Sequence, residues 1–169
     1  MKRILLCIML ISCSIAISAQ IQRLFFGLTL GVSTKNSVIS YFKNNSIEYH
    51  IDDEGTYMAN NIKFAGYKWP EVDFYFYKGK LFKIMMGNSD EVDNIQTLDL
   101  TRENLYNTLK KKYGNYLEDD TETKTIFMDN KTIIFLFYYY SGSYRKELIL
   151  TYADKELMLS SIESDESEL

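Results

Sequence analysis

The 169-residue chain has only two cysteines, one proline, one histidine and one tryptophan. Both cysteines, Cys7 and Cys13, fall within the first twenty residues. The rest of the chain can form no disulfide, so its stability rests on an apolar core. With His50 alone and no thiolate beyond Cys13, a zinc site lacks ligands and a Cys-His nucleophile lacks its thiol. There is no Gly-x-Ser-x-Gly elbow, no phosphate loop and no dinucleotide fingerprint. These gaps point away from an enzyme and imply no cofactor. The single proline, Pro70, and the lack of any low-complexity run leave no linker that would separate domains. Basic excess is also missing, with 19 Lys and Arg against 23 Asp and Glu and a net charge of −4. Mixed signs with an acidic balance argue against nucleic acid as a partner.

What is present begins with an address. Residues 1–20 read MKRILLCIMLISCSIAISAQ. Lys2 and Arg3 precede an apolar run from Ile4 to Ile17, and Ser18-Ala19 suits cleavage after Ala19, the plan of a secretory signal peptide. The run is shorter than the ~20 apolar residues of a spanning helix. The expected product is exported, periplasmic or secreted. Leu10-Ile11-Ser12-Cys13 also resembles the lipobox of bacterial lipoproteins, so lipidation at Cys13 is the alternative. Contact with a membrane is expected only in that case.

The mature chain reads as helix, strands, helix, strands. A helix is predicted from about Thr34 to Asn44, capped by Ser33 or Thr34, with Val38, Ile39 and Phe42 inward. A second is predicted over Arg102–Lys112, capped by Thr101, with Leu105, Leu109 and Tyr113 inward and Gly114 as a left-handed terminator. Lys110, Lys111 and Lys112 suit the helix dipole. Strands are expected at 55–59 and 62–65 around an Asn60-Asn61 turn, and at 72–77 and 81–86 around Lys78-Gly79-Lys80. Three more are expected at 123–128, 132–140 and 144–152. A faint repeat at an offset of about 67 residues aligns Thr34, Val38 and Phe42 with Thr101, Leu105 and Leu109. It also aligns Tyr49-x-x-Asp52-Asp53 with Tyr116-x-x-Asp119-Asp120. The expected fold is α+β, with two helix-plus-antiparallel-meander units and the helices packed on one face of an antiparallel sheet. The expected division is a signal peptide at 1–19, one domain over 20–159 with a tandem repeat at about 24–90 and 95–158, and a flexible acidic tail at 160–169.

Gly31-Val32-Ser33, the helical Val38 and Phe42, and the strand pair from Val72 to Phe76 and Leu81 to Ile84 resemble the β-lactamase inhibitor protein fold. The small outer-membrane assembly lipoproteins share that likeness. The stretches from Phe25 to Gly31 and from Ile62 to Trp69 are similar to small secreted Bacteroidota proteins. The resemblance implies a non-catalytic protein that binds other proteins in the envelope or outside the cell.

Two features carry the search for a site. Three acidic clusters, Asp52-Asp53-Glu54, Asp90-Glu91-Asp93 and Glu118-Asp119-Asp120-Glu122, offer oxygen ligands for calcium, although none has EF-hand spacing. If the repeat brings the Asp-Asp pairs together, they also suit a carbohydrate-active cleft. The aromatic content is the stronger signal, with 14 Tyr and 10 Phe. Alternation places Phe74, Phe76, Phe82 and Ile84 on the core face and Tyr75 and Tyr77 on the other. Tyr75, Tyr77, Tyr138 and Tyr140 are the candidate contacts for an envelope or extracellular protein partner, because tyrosine buries large area at low entropic cost.

Overall fold

The computed structural model describes residues 20–91, 95–141 and 145–166. Cys13 and the rest of the expected signal peptide lie outside them, as do the side chains of Asp90, Glu91 and Asp93. In chain order the elements are β1 (Leu24–Phe25), β2 (Leu28–Thr29), α1 (Lys35–Asn44), β3 (Tyr49–Ile51), β4 (Tyr57–Phe64), β5 (Tyr67–Tyr77) and β6 (Lys80–Glu91). They continue with α2 (Ile95–Tyr113), β7 (Leu117–Asp120), β8 (Lys124–Met128), β9 (Thr132–Ser141), β10 (Arg145–Asp154) and α3 (Lys155–Glu166). The fold is α+β. One antiparallel sheet of eight strands runs in the order β3-β4-β5-β6-β10-β9-β8-β7, beside the small β1-β2 hairpin.

Register assigns the inner face. Tyr57, Phe74, Ile84, Tyr152, Ile134 and Phe127 lie opposite one another across successive strands, each 6% exposed or less. Helix α1 sets Phe42 edge-on against Phe74 at 5.2 Å. The β1-β2 hairpin adds Phe25, whose ring lies 4.5 Å from Tyr152. From α2, Leu98, Leu105, Leu109 and Tyr113 join the same cluster. Val38 and Phe42 are buried on α1 as their spacing requires, and the Thr34 N–H donates to Ser37 Oγ at 3.2 Å in its first turn.

Four local expectations are corrected. Asn60-Asn61 is no turn: β4 runs unbroken from Tyr57 to Phe64, and the reversal falls at Ala65-Gly66, with φ of 53° and 84°. Two consecutive positive φ values are what a tight hairpin turn demands. Asn61 has φ of 62° inside the strand, and there the alternation slips, so that Ile62 and Trp69 are buried instead of Asn61 and Pro70. Helix α2 starts at Ile95, so Thr101 is no cap. It lies within the helix, 92% buried by its 8% exposure, and donates to the Thr97 carbonyl at 2.9 Å. Gly114 is not left-handed and continues α2 into a 3-10 turn over Gly114–Tyr116. Finally, the stretch read as a frayed tail is helical as far as Glu166, and α3 contacts β5, β6 and β10. Met158 and Ile162 border Tyr75 and Phe82, so this helix lies across the face opposite the core.

Asp154 explains why a helix forms there. Its Oδ1 accepts from the Leu157 N–H at 2.9 Å and its Oδ2 from Arg23 Nη2 at 2.5 Å. A capping carboxylate satisfies an amide left free in the first turn. Gly31 leaves room for this pair: it has φ of 77°, and a Cβ there would stand 2.4 Å from Asp154 Oδ2. Gly31→Ala is therefore expected to lower stability by about 2 kcal/mol or more, since the left-handed backbone alone costs about 1–2 kcal/mol. Gly79→Ala, with φ of 75° and nothing within 4 Å of the new Cβ, serves as the control in thermal unfolding. An equal loss from both would remove the role assigned to the Asp154 contact.

Candidate functional site on the outer face of the sheet

The outer face collects every second residue of the central strands. Asp73, Met85 and Thr151 lie in register across β5, β6 and β10, and Phe135 continues the row on β9. Tyr75 lies on this face, and Tyr77 follows it two residues on. The core face loses one expected member here. Between Tyr75 and Phe76 the β5-β6 register slips by one residue, so Phe76 pairs with Leu81 rather than Phe82. The extra residue turns the alternation over. Leu81 takes the core position at 0% exposure, and Phe82 lies outside between Tyr75 and Tyr77, with ring centroids 6.5 and 6.4 Å away.

The four candidate tyrosines do not share a surface. Tyr138 pairs with Leu148 and Tyr140 with Lys146, on the side of Leu150 and Tyr152, which is the inner face. Tyr138 donates to Asp99 of α2, and the Lys146 ammonium stands 4.9 Å from both tyrosine rings. Tyr75 and Tyr77 are on the other side, half-buried beside α3.

The outer face instead carries residues that tyrosine counting passed over. Phe135 and Phe137 stack in parallel, 5.7 Å apart and 8° from coplanar. With Met85, Tyr139, Ile149 and Thr151 they floor an open apolar trough of about 430 Å³, bounded by Lys83 and by Met158 of α3. The signal was in the sequence: residues 132–140 are apolar on both faces, and β9 is an interior strand with one face not covered by α1 or α2.

Beside the trough lies a polar cluster. Lys83 Nζ sits 3.6 Å from the centroid of Tyr75 and 5.9 Å from that of Phe82. Burial pulls its pKa down, and the charge of Asp73 works against that pull. Asp73 is 3% exposed, and its Oδ1 has no hydrogen-bond partner among the described residues. Its Oδ2 receives only a long contact from the Tyr75 hydroxyl at 3.5 Å. Burial, and then the neighbouring Glu71 charge, push its carboxyl up to about 6. Burial followed by the Asp73 charge pushes the Tyr75 phenol up to about 12.

The acidic clusters are used locally. Asp52 Oδ1 accepts from the Glu54 and Thr56 amides at 3.0 and 2.8 Å, and the Thr56 bond leads in holding its pKa below the usual carboxylate range. Asp119 pairs with Lys124, and Asp120 accepts from Tyr106 at 2.7 Å and from Thr125 at 3.1 Å. Among the described residues no three His, Cys, Asp or Glu side chains converge on a metal position. The two Asp-Asp pairs follow β3 and lie in β7, the opposite edges of the sheet. Seven strand spacings separate those edges by about 34 Å, whereas a glycosidase pair stands about 5–10 Å apart. That removes a shared cleft. His50 is exposed in the edge strand β3. Among the described residues no helix is long and apolar enough to cross a membrane.

Comparison of the chain with family models, with curated proteins and with solved structures gave no match.

Proposed function

We propose that this chain is an exported, non-catalytic module that binds a partner protein through the outer face of its sheet. The observation that carries the reading is the apolar trough floored by Phe135, Phe137, Met85 and Ile149. It lies on strands β6, β10 and β9 in the middle of the sheet, where the backbone is already paired on both sides. Only side chains are on offer there, and stacked aromatic rings bury much area with few rotamers to freeze. Of the four tyrosines expected to bind, Tyr75 and Tyr77 belong to this face. Tyr138 and Tyr140 do not belong to the proposed surface.

A two-unit architecture accompanies the proposal. What supports it is the strand order, in which β3-β4-β5-β6 after α1 mirrors β7-β8-β9-β10 after α2 about the β6-β10 pair. The export part rests on the sequence of residues 1–20. The mass of the mature N-terminus tests it, with a Gln20 start expected and a diacylglyceryl Cys13 marking the lipoprotein alternative.

The binding part is tested by substitution. Phe137→Lys is expected to abolish retention of a partner from native envelope and culture fluid, with the melting temperature within a few degrees of wild type. Tyr140→Lys, on the other face and 60% exposed, is expected to retain it. Equal retention by both variants would sink the outer-face reading.

A further inference from the structure

The trough has an end, and the end carries a charge. Lys83 and Met158 line both the trough and a second recess of about 380 Å³ formed with Tyr75, Tyr77 and Phe82. Helix α3 therefore crosses the outer face between the two and stops the trough at Lys83. A polypeptide lying along Phe137, Phe135 and Met85 cannot continue past this point without displacing the helix. At the stop is an ammonium that faces rings but, among the described residues, has no carboxylate within salt-bridge distance.

We propose that the trough takes the apolar C-terminus of a partner polypeptide and that Lys83 receives its terminal carboxylate. This rests on the outer-face reading above and names the chemistry of the occupant. The volume falls within the roughly 300–1,000 Å³ of small recognition sites, in which apolar walls carry a few placed polar groups. Capture of a chain-terminal carboxylate is a recurring mode of peptide recognition. An amine partly withdrawn from water gains more from a carboxylate than one on the open surface, because the pair is less screened.

The charges around the site fit this assignment. Glu147, paired with Tyr139 across β10 and β9, accepts from the Tyr139 hydroxyl at 3.0 Å. Asp73 lies beside Lys83 on the floor and is ionised at neutral pH, but at 3% exposure its carboxylate is buried beneath the surface that an incoming chain meets. Glu54 lines the second recess, on the far side of α3. A chain ending at Lys83 thus meets an ammonium before it meets a free acid.

The test uses the mature protein and a fluorescein-labelled hexapeptide, Ser-Gly-Ser-Ile-Val-Phe, made as the free acid and as the C-terminal amide. Fluorescence polarisation is expected to show the acid binding at least ten-fold more tightly than the amide. Lys83→Met keeps most of the apolar stem and is expected to erase that preference. Phe137→Lys is expected to weaken both peptides. Equal affinity for acid and amide, a preference that survives Lys83→Met, or no binding of either at millimolar concentration would each overturn the assignment. If the assignment falls while Phe137→Lys still loses the native partner, the outer-face reading stands without it.

Discussion

Asp73→Asn is expected to raise the melting temperature by about 5–10 °C at pH 7.5 and to leave it nearly unchanged at pH 4. The reason is a carboxyl that the fold buries without serving. Its Oδ1 has no partner among the described residues, and its Oδ2 has one long contact. The folded protein therefore holds its proton more tightly than the unfolded chain does, with a pKa of about 6 against 3.8. Stability rises with pH only where the unfolded state binds more protons, and here the native state binds more. The penalty is fully present above pH 6 and fades as pH falls from 6 towards 4. At about 1.4 kcal/mol per pKa unit it amounts to about 2–3 kcal/mol at neutral pH, hence the temperature shift for a chain of this size.

Wild-type protein should accordingly become more stable as pH drops from 7 to 5, while Asp73→Asn stays flat over that window. Asp52 and Asp99 are held below the usual carboxylate range, chiefly by hydrogen bonds from Thr56 and Tyr138. Their contributions are lost only as pH falls through those depressed values, so they do not confuse the reading above pH 4. Differential scanning fluorimetry at half-unit steps measures both curves. A wild-type profile that rises from pH 5 to 7 would contradict the account of Asp73.

The largest loss is expected from Asp154→Ala, about 3 kcal/mol or roughly 10 °C. The substitution removes a helix cap, worth about 1 kcal/mol. It also strands Arg23, whose side chain is 22% exposed against 11% for Asp154. Breaking a fully buried pair costs about 3–5 kcal/mol. The partial exposure reduces that, as do the Leu30 and Lys131 carbonyls that still accept from Arg23 at 2.7 Å. Asp154→Asn keeps the cap and loses the charge, so about half the effect is expected. Adding Arg23→Met to Asp154→Ala should recover part of the loss. Urea unfolding of wild type, Asp154→Ala, Arg23→Met and the double variant gives the coupling directly, and additive losses would mean that the pair is not coupled.

Much of the fold was legible because its signals are local. The β5-β6 hairpin follows from alternation around Lys78-Gly79, and Val38 and Phe42 follow from helical spacing. What was not legible depends on partners. Nothing in the order Leu81-Phe82-Lys83 says that β6 carries the extra residue opposite Tyr75 and Phe76, yet that residue decides on which face Phe82 stands. Asn60-Asn61 has the composition of a turn, and the pairing of Asn60 with Glu71 and of Ile62 with Trp69 makes it strand. Helix α3 was hidden by its acidic, apolar-poor composition, since its start depends on an Asp154 carboxylate whose partner Arg23 lies at the other end of the chain. The tyrosines misled for a simpler reason. Tyr138 and Tyr140 share the parity of Leu136 and Ile134, which turns them inward, whereas the phenylalanines between them look out.

The pairing of β6 with β10 at the centre of the sheet sets an order of events during synthesis. Until Arg145–Asp154 has emerged, β6 and β9 each lack a neighbour on one side. The central seam is a late, non-local closure, the kind of contact that slows folding. A nascent chain therefore cannot finish its sheet until its last strand arrives, and two strand edges stay open to mispairing until then.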